Sequence, residues 1–228
     1  MLTAINNRGS KFISLESNKD MLPLYCPHCN SQVGLRKGTI KIHHFYHLTN
    51  YDCVNAGESL DHMEHKYELY IKFKRIYLKT EMEYYLNDCI ADVYIPELNI
   101  AFEVQRSALS KEVFWERTQK YIDKKIRVFW IFLEKDLPLR YDKNSSPSTA
   151  YINIKQMHKA ALRLYTEYIY VYNKSRCFIR KYYLKDKRTY HFDEDGYPYD
   201  YIYKTKKNIS SIEEIYNDVL KDFSKGLV

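Results

Sequence analysis

Apolar positions recur along this chain with two periods, and the switches between them predict its elements. Residues 58–79, ESLDHMEHKYELYIKFKRIYLK, contain no Pro or Gly and set Leu60, Met63, Tyr67, Tyr70 and Ile71 on one stripe at helical spacing. The next patterned stretch, CIADVYIPELNIAFEVQ over 89–105, alternates with a period of two on either side of PELN, which predicts a β-hairpin. Ser110 is placed to cap a further helix running to about Lys124, with Glu112 in its first turn. Arg127–Leu133, RVFWIFL, has the length and residues of a buried strand. Upstream, residues 2–16 hold strand-like stretches around Gly9-Ser10, and 24–54 read as turn-rich. Downstream come the polar run YDKNSSPSTA (141–150), a basic helix over Ile154–Tyr165, Tyr-rich strands within 167–203 broken by the turn DEDGYP, and an amphipathic helix near 210–223. Helix, hairpin, helix and apolar strand between 58 and 133 make an α/β arrangement, a short sheet flanked by helices.

The hairpin raises a problem of charge. With PELN as a four-residue loop, or Glu97-Leu98 as a two-residue one, Ile95 faces Ile100 and Asp92 faces Glu103. Ala91, Val93 and Ile95 then share an apolar face with Ile100, Phe102 and Val104, while Asp92, Glu103 and Gln105 share the other. Like charges on directly opposed residues, with Cβ atoms about 5 Å apart, destabilise a strand pair. Two such carboxylates need a cation between them, or one must hold a proton. Mg²⁺ or Mn²⁺ fits, because hard divalent cations take carboxylate and phosphate oxygens, and such an ion lowers the pKa of an attacking water. The ordinary alternative is a solvent-facing pair with Lys neighbours, but Ile90, Tyr94 and Ala101 on the same face are not polar. Gln105 cannot act as a base; its amide can orient water or bond a phosphate.

On the preceding helix Glu58, His62 and Lys66 recur every four residues and form one row. They could add a third acid, a general base or phosphate contact, and a positive charge. Spacing alone favours the plainer reading, an exposed Glu–Lys face, and Glu64 and Glu68 form a competing row. Cys26-Pro27-His28-Cys29 is a C-x-x-C in a turn, followed by His43, His44, His47 and Cys53. Cys26, Cys29, His47 and Cys53 best make a tetrahedral Zn²⁺ set, with His44 as the alternative to His47. Its richness in thiolates points to a closed, structural site.

Composition narrows the setting. Across 228 residues, 45% hydrophobic and 29% charged content describe a globular chain long enough to bury a core. No run is long enough to span a bilayer, and MLTAINNRGSKF lacks an apolar signal core, so no membrane association and a cytoplasmic location are expected. Five cysteines without a secretory leader favour metal binding over disulfides. The net charge is +7, yet Lys155–Arg188 alone holds ten Lys and Arg against Glu167 and Asp186. There basic residues interleave with Tyr, and Arg176, Arg180, Lys181, Lys185, Lys187 and Arg188 are the candidate nucleic-acid contacts, with Tyr available to stack on bases. The alternatives are a solvated basic face and Tyr that mostly belong to a sheet core.

In order along the chain, LTAINNRGSKF, YCPHC, IKIHHFYHLTNYDC, ESLDHMEHK, IADVYIPELNIAFEVQRSALS and RTQKYIDKKIRVFWIF resemble the competence protein CoiA family, within the PD-(D/E)XK nuclease superfamily. The resemblance covers roughly residues 1–135. It implies a restriction-endonuclease-like core, a mixed sheet flanked by helices, with Asp92 and Glu103 as metal ligands. It puts Gln105 where the superfamily usually carries Lys, which leaves a charge-neutralising role to Lys66 or Arg106. The expected organisation is N-terminal strands and a zinc-binding region (1–55), a nuclease-like core (56–140) and a basic, Tyr-rich α+β extension (141–228). The expected activity is Mg²⁺- or Mn²⁺-dependent cleavage of DNA, single- or double-stranded, with RNA as the other candidate. The alternative is a catalytically degenerate DNA-binding module. Endo or exo action and oligomeric state are not fixed by the sequence.

Overall fold

The computed structural model describes residues 1–49, 52–53, 56–106, 108–137, 149–152, 155–165, 168–173, 178–184, 191–192 and 198–204. Residues 149–152, 168, 173, 178, 180–184, 191–192 and 198–204 are described as backbone alone. The described chain is a mixed α/β protein with three α-helices, and its contacts divide it into two units, Met1–Ala101 and Phe102–Val228.

The first unit opens with β1 (Thr3–Ile5) and β2 (Lys11–Ile13), the strands expected around Gly9, whose φ of 77° is the left-handed turn conformation that suits glycine. Three more strands follow: β3 (Leu24–Tyr25), β4 (Gln32–Arg36) and β5 (His44–His47), giving an antiparallel sheet of order β2-β1-β3-β4-β5. The sequence predicts turns here. The strands are short, and their alternation is interrupted by His and Gly, so the period of two does not stand out. Leu24, Cys26, Val33, Leu35 and Phe45 nonetheless form a buried cluster under the sheet.

Helix α1 (Leu60–Lys74) starts at Ser59, whose Oγ accepts the His62 amide at 3.2 Å. It ends before the predicted residue 79, in a turn where Ile76 and Tyr77 both donate to the Phe73 carbonyl. Its buried residues are Met63, His65, Lys66, Leu69, Tyr70 and Phe73, so the buried face is rotated from the predicted stripe and includes Lys66. Strand β6 (Glu81–Tyr85), which the sequence reading did not assign, pairs antiparallel with β7 (Ile90–Ile95). The register, Met82 with Val93 and Tyr84 with Ala91, sets Glu83 opposite Asp92, where the ladder has no bridge. Glu83 has a φ of 48°, a strained left-handed conformation for a residue with a Cβ. After β7 the expected turn appears as one 3₁₀ turn, Pro96–Leu98, closed by Asn99 at φ 54°.

The division between units falls inside β8 (Ile100–Gln105), whose six residues are all buried. In the second unit α2 (Lys111–Asp123) is capped as predicted by Ser110, which accepts the Val113 amide, and β9 (Arg127–Leu133) occupies the predicted apolar run. Then come β10 (Thr149–Ile152), α3 (Gln156–Leu164), β11 (Tyr168–Asn173), β12 (Phe178–Leu184), β13 (His191–Phe192) and β14 (Pro198–Lys204). The sheet order is β10-β14-β12-β11-β9-β8; β11 runs parallel to β9 and antiparallel to β12, and β13 pairs with β14. Trp130, Phe114, Phe129, Tyr165 and Tyr170 fill this core. Tyr165 shows why a tyrosine belongs there: its hydroxyl accepts the Trp130 amide at 2.8 Å and donates to the Val128 carbonyl at 3.1 Å. The amphipathic helix expected near 210–223, the turn DEDGYP and most of the 141–150 run lie outside the described residues.

His158 gives this unit a pH dependence. Its Nδ1 accepts the Lys155 amide at 3.2 Å, its ring meets Phe132 edge-on at 4.8 Å, and Nε2 is buried with no hydrogen-bond partner among the described residues. Burial, with the charge of Lys155 adding to it, pushes its pKa down to about 4 from 6.5. The native state therefore holds the ring neutral while the unfolded chain binds a proton below pH 6.5. This contribution to stability is complete above pH 6.5 and is lost as pH falls through 4, by about 3 kcal/mol in all. Urea unfolding at a series of pH values should show that slope, and His158→Asn, which keeps an acceptor for Lys155, should flatten it.

Candidate active site and metal centre

Cys26 and Cys29 sit on the turn from β3 to β4, closed by Asn30 donating to the Cys26 carbonyl at 2.9 Å. His47 ends β5, paired with Val33. Cys53 completes a group with Cys26, Cys29 and His47 in which one ligand atom from each lies within 4.8 Å of every other. The Cys26 and Cys53 sulfurs are 3.9 Å apart, and Cys29 Sγ is 3.3 Å from His47 Nε2. A tetrahedral zinc ion requires about 3.8 Å between two sulfurs and about 3.6 Å between sulfur and nitrogen, so the four side chains are a Cys/His cluster that could hold zinc. His44 is not part of it: its Nδ1 is 2.9 Å from the Ile42 carbonyl, and alternation along β5 sets it on the opposite face from His47.

A second cluster lies where α1 meets β6 and β7. Lys66 projects from the buried face of α1, and its Nζ contacts Glu58 at 2.5 Å, Glu83 at 2.7 Å and Asp92 at 3.6 Å. Its side chain is only 5% exposed. Burial works against its charge, but Glu83, Asp92 and Glu58 outweigh that and raise its pKa. His62 lies one turn earlier, with Nδ1 2.9 Å from Glu58 and Nε2 3.3 Å from Asp92. The second contact is an ion-pair distance without hydrogen-bond geometry. Burial opposes protonation of His62 too, yet Asp92 and Glu58 lift its pKa to about 10. Glu58 answers in the opposite sense: burial would raise it, and Lys66 and His62 bring it down to about 2. The Met1 amino group also pairs with Glu58, at 3.6 Å, so three carboxylates face three cations when His62 is protonated, in a largely desolvated place. Glu58, His62 and Asp92 are close enough to share one ion, and the two carboxylates are the ligands a hard cation prefers.

Glu83 was not among the residues singled out from sequence. Its carboxylate accepts the Leu2 amide at 2.9 Å and both the amide and hydroxyl of Thr3 at 2.8 Å, besides Lys66. These bonds tie β1 to β6 and over-determine the left-handed backbone at Glu83. The signal that would have found it is its register position opposite Asp92. The exposed Glu–Lys face favoured for Glu58, His62 and Lys66 is also corrected. A lysine on this helix is buried because three acids replace its water.

In the second unit Glu103 is buried and engaged on both oxygens, one by Arg117 at 2.5 Å and the other by the Tyr121 hydroxyl. Arg117 also approaches Gln105 Oε1 at 3.5 Å and lies over the Trp130 ring at 4.8 Å. Neither Arg117 nor Tyr121 was named from sequence; they lie four residues apart on α2 and so share one face, Tyr121 buried and Arg117 half-buried. The expected pairing of Asp92 with Glu103 spans the two units. Of the basic residues further on, Arg180 and Lys181 lie on β12 across from Val171 and Tyr170, while Arg176, Lys185, Lys187 and Arg188 fall outside the described residues.

Comparison with known proteins finds two adjoining matches. Residues 58–211 match the family described as competence protein CoiA, nuclease-like domain, and residues 9–56 match the competence protein CoiA, N-terminal domain. A protein of Bacillus subtilis (strain 168) named competence protein CoiA is 25% identical over 166 residues, which is 68% of this chain and 42% of that protein. The chain therefore spans less than half the length of that relative. No solved structure matches. Among the described residues no helix is long and apolar enough to cross a membrane.

The buried lysine makes a stability prediction. Lys66→Met leaves Glu58, Glu83 and Asp92 without their shared counter-charge, and removing one partner of a buried ionic set costs about 3–5 kcal/mol. Urea unfolding at pH 7 should show a loss of that size. A loss below about 1 kcal/mol, the range of exposed pairs, would mean that Lys66 is solvated.

Proposed function

Because the chain belongs to the competence protein CoiA family, we propose that it is a metal-dependent nuclease that hydrolyses phosphodiester bonds, with DNA as its substrate. The observation that carries this reading is the group of Glu58, His62 and Asp92, whose ligand atoms lie within 4.8 Å of one another and which sets two carboxylates within reach of one ion. Mg²⁺ or Mn²⁺ would be held by Asp92 and Glu58, joined by Glu103 as the alternation of the hairpin implies. When bound, the ion supplies charge for the scissile phosphate and acidifies the attacking water.

The chain's own residues divide the remaining work. Lys66 keeps the carboxylates ionised and fixed. His62 Nε2 faces Asp92 and is the group placed to hold a proton at the cluster. Gln105 offers an amide to orient water. Arg117, within 3.5 Å of Gln105, brings the charge that a lysine would otherwise supply. The Cys26, Cys29, His47 and Cys53 set would hold a structural Zn²⁺ that fastens the N-terminal sheet. The contacts of Glu103 with Arg117 and Tyr121 favour a second reading, a retired site that binds DNA without cutting it, since both oxygens are already occupied.

Cleavage of single- and double-stranded DNA with Mg²⁺ or Mn²⁺ separates the two. The nuclease reading expects metal-dependent cleavage that falls by on the order of 10²-fold or more in Asp92→Ala and Glu103→Ala. No metal-dependent difference between wild type and these variants would sink it. Undiminished DNA binding without cleavage in any divalent ion would establish the second reading.

A further inference from the structure

A cleft of about 930 Å³ opens beside the N-terminal sheet, and Glu58 is among its lining residues. Its walls carry Lys19, Arg36, Lys37 and Lys41, and among the described residues Glu58 is the only carboxylate in the lining. All four basic residues are exposed, and among the described residues none of them makes an ion pair. They come from three places, the turn before β3, the end of β4 and the connection to β5, so the sheet topology gathers them. Arg36 is also pre-positioned: Tyr46 lies across Gly34, where an added Cβ would come within 2.6 Å of the ring, and the Arg36 guanidinium stacks 4.4 Å from the centre of that ring. Any residue larger than glycine at 34 would displace this platform.

Four uncompensated positive charges around a concave surface select a polyanion. The volume selects its form. It falls within the roughly 300–1,000 Å³ of small-ligand sites. A duplex, whose major groove alone is about 12 Å wide, does not enter it, whereas an extended strand does. We propose that this cleft is a track for single-stranded nucleic acid, in which Lys19, Arg36, Lys37 and Lys41 hold successive phosphates of a strand whose scissile bond lies at the Glu58 end. The inference rests on the nucleic-acid reading above for the identity of the polyanion, but it assigns binding to residues outside the carboxylate cluster and outside the basic, Tyr-rich C-terminal region.

The test is binding of a fluorescently labelled oligonucleotide to the full chain, without added divalent cation, over a series of salt concentrations. Each phosphate contact on a single strand contributes about −0.7 to the slope of log K against log salt. The variant carrying Lys19→Gln, Lys37→Gln and Lys41→Gln should lose affinity and flatten that slope by about 2, with zinc content and thermal midpoint unchanged. Lys→Arg at the same three positions should restore both. An unchanged slope and affinity in the Gln variant overturns the proposal, as does equal dependence of duplex binding on these residues, or binding of an acidic peptide as tight as that of the oligonucleotide. The nuclease reading fails separately: a chain that binds strands through these lysines but cleaves nothing keeps the track and loses the nuclease. Cleavage indifferent to the lysines does the reverse.

Discussion

One buried ammonium organises the first unit. Lys66 sits among Glu58, Glu83 and Asp92, and none of the four could be ionised there without the others. An ion taken from water loses several kcal/mol of solvation, which only close, well-made partners return. Lys66 has such partners from three elements: the entry to α1, the strained strand β6 and the strand β7. The same set holds β1 in place, because Glu83 spends its remaining acceptor capacity on the Leu2 and Thr3 amides. The N-terminal sheet, α1 and the β6–β7 ladder thus meet on a single charge network, and the candidate site is part of what holds the fold together.

That arrangement explains the electrostatics of the cluster. Lys66 alone does not neutralise three carboxylates; the Met1 amino group, 3.6 Å from Glu58, and His62, with its pKa lifted to about 10, make up the difference. The proposed divalent cation would carry the same kind of compensation in a compact form, within reach of Glu58 and Asp92. Arg117 repeats the logic in the second unit, where it serves Glu103 and Gln105 at once while its flat face lies on Trp130.

How much of this could be read from sequence depended on whether side-chain periodicity or tertiary charge decided the outcome. The hairpin turn at PELN, the Ser110 cap and the RVFWIFL strand were legible because local backbone preference and burial agree there. The Cys/His cluster was legible because zinc-ligand spacing is a local property, and the strand alternation of β5 then separates His47 from His44. Lys66 was not legible as a buried residue: a lysine between glutamates on a helix is solvated unless distant chain supplies the acids. Glu83 was hidden because the helical pattern runs on to residue 79 and masks the start of β6. Arg117 was hidden because a long basic side chain on a polar helix looks like surface until its partners are placed.

The central claim is that the Lys66 network leaves a place for one divalent cation at Glu58 and Asp92. Anomalous X-ray diffraction from crystals soaked in Mn²⁺ tests it directly. The account predicts a single strong manganese peak bound to the Asp92 carboxylate, with Glu58 as a further ligand and Lys66 still in contact with Glu83. Manganese confined to surface acids, with Glu58 and Asp92 still engaged by His62 and Lys66 alone, would contradict it.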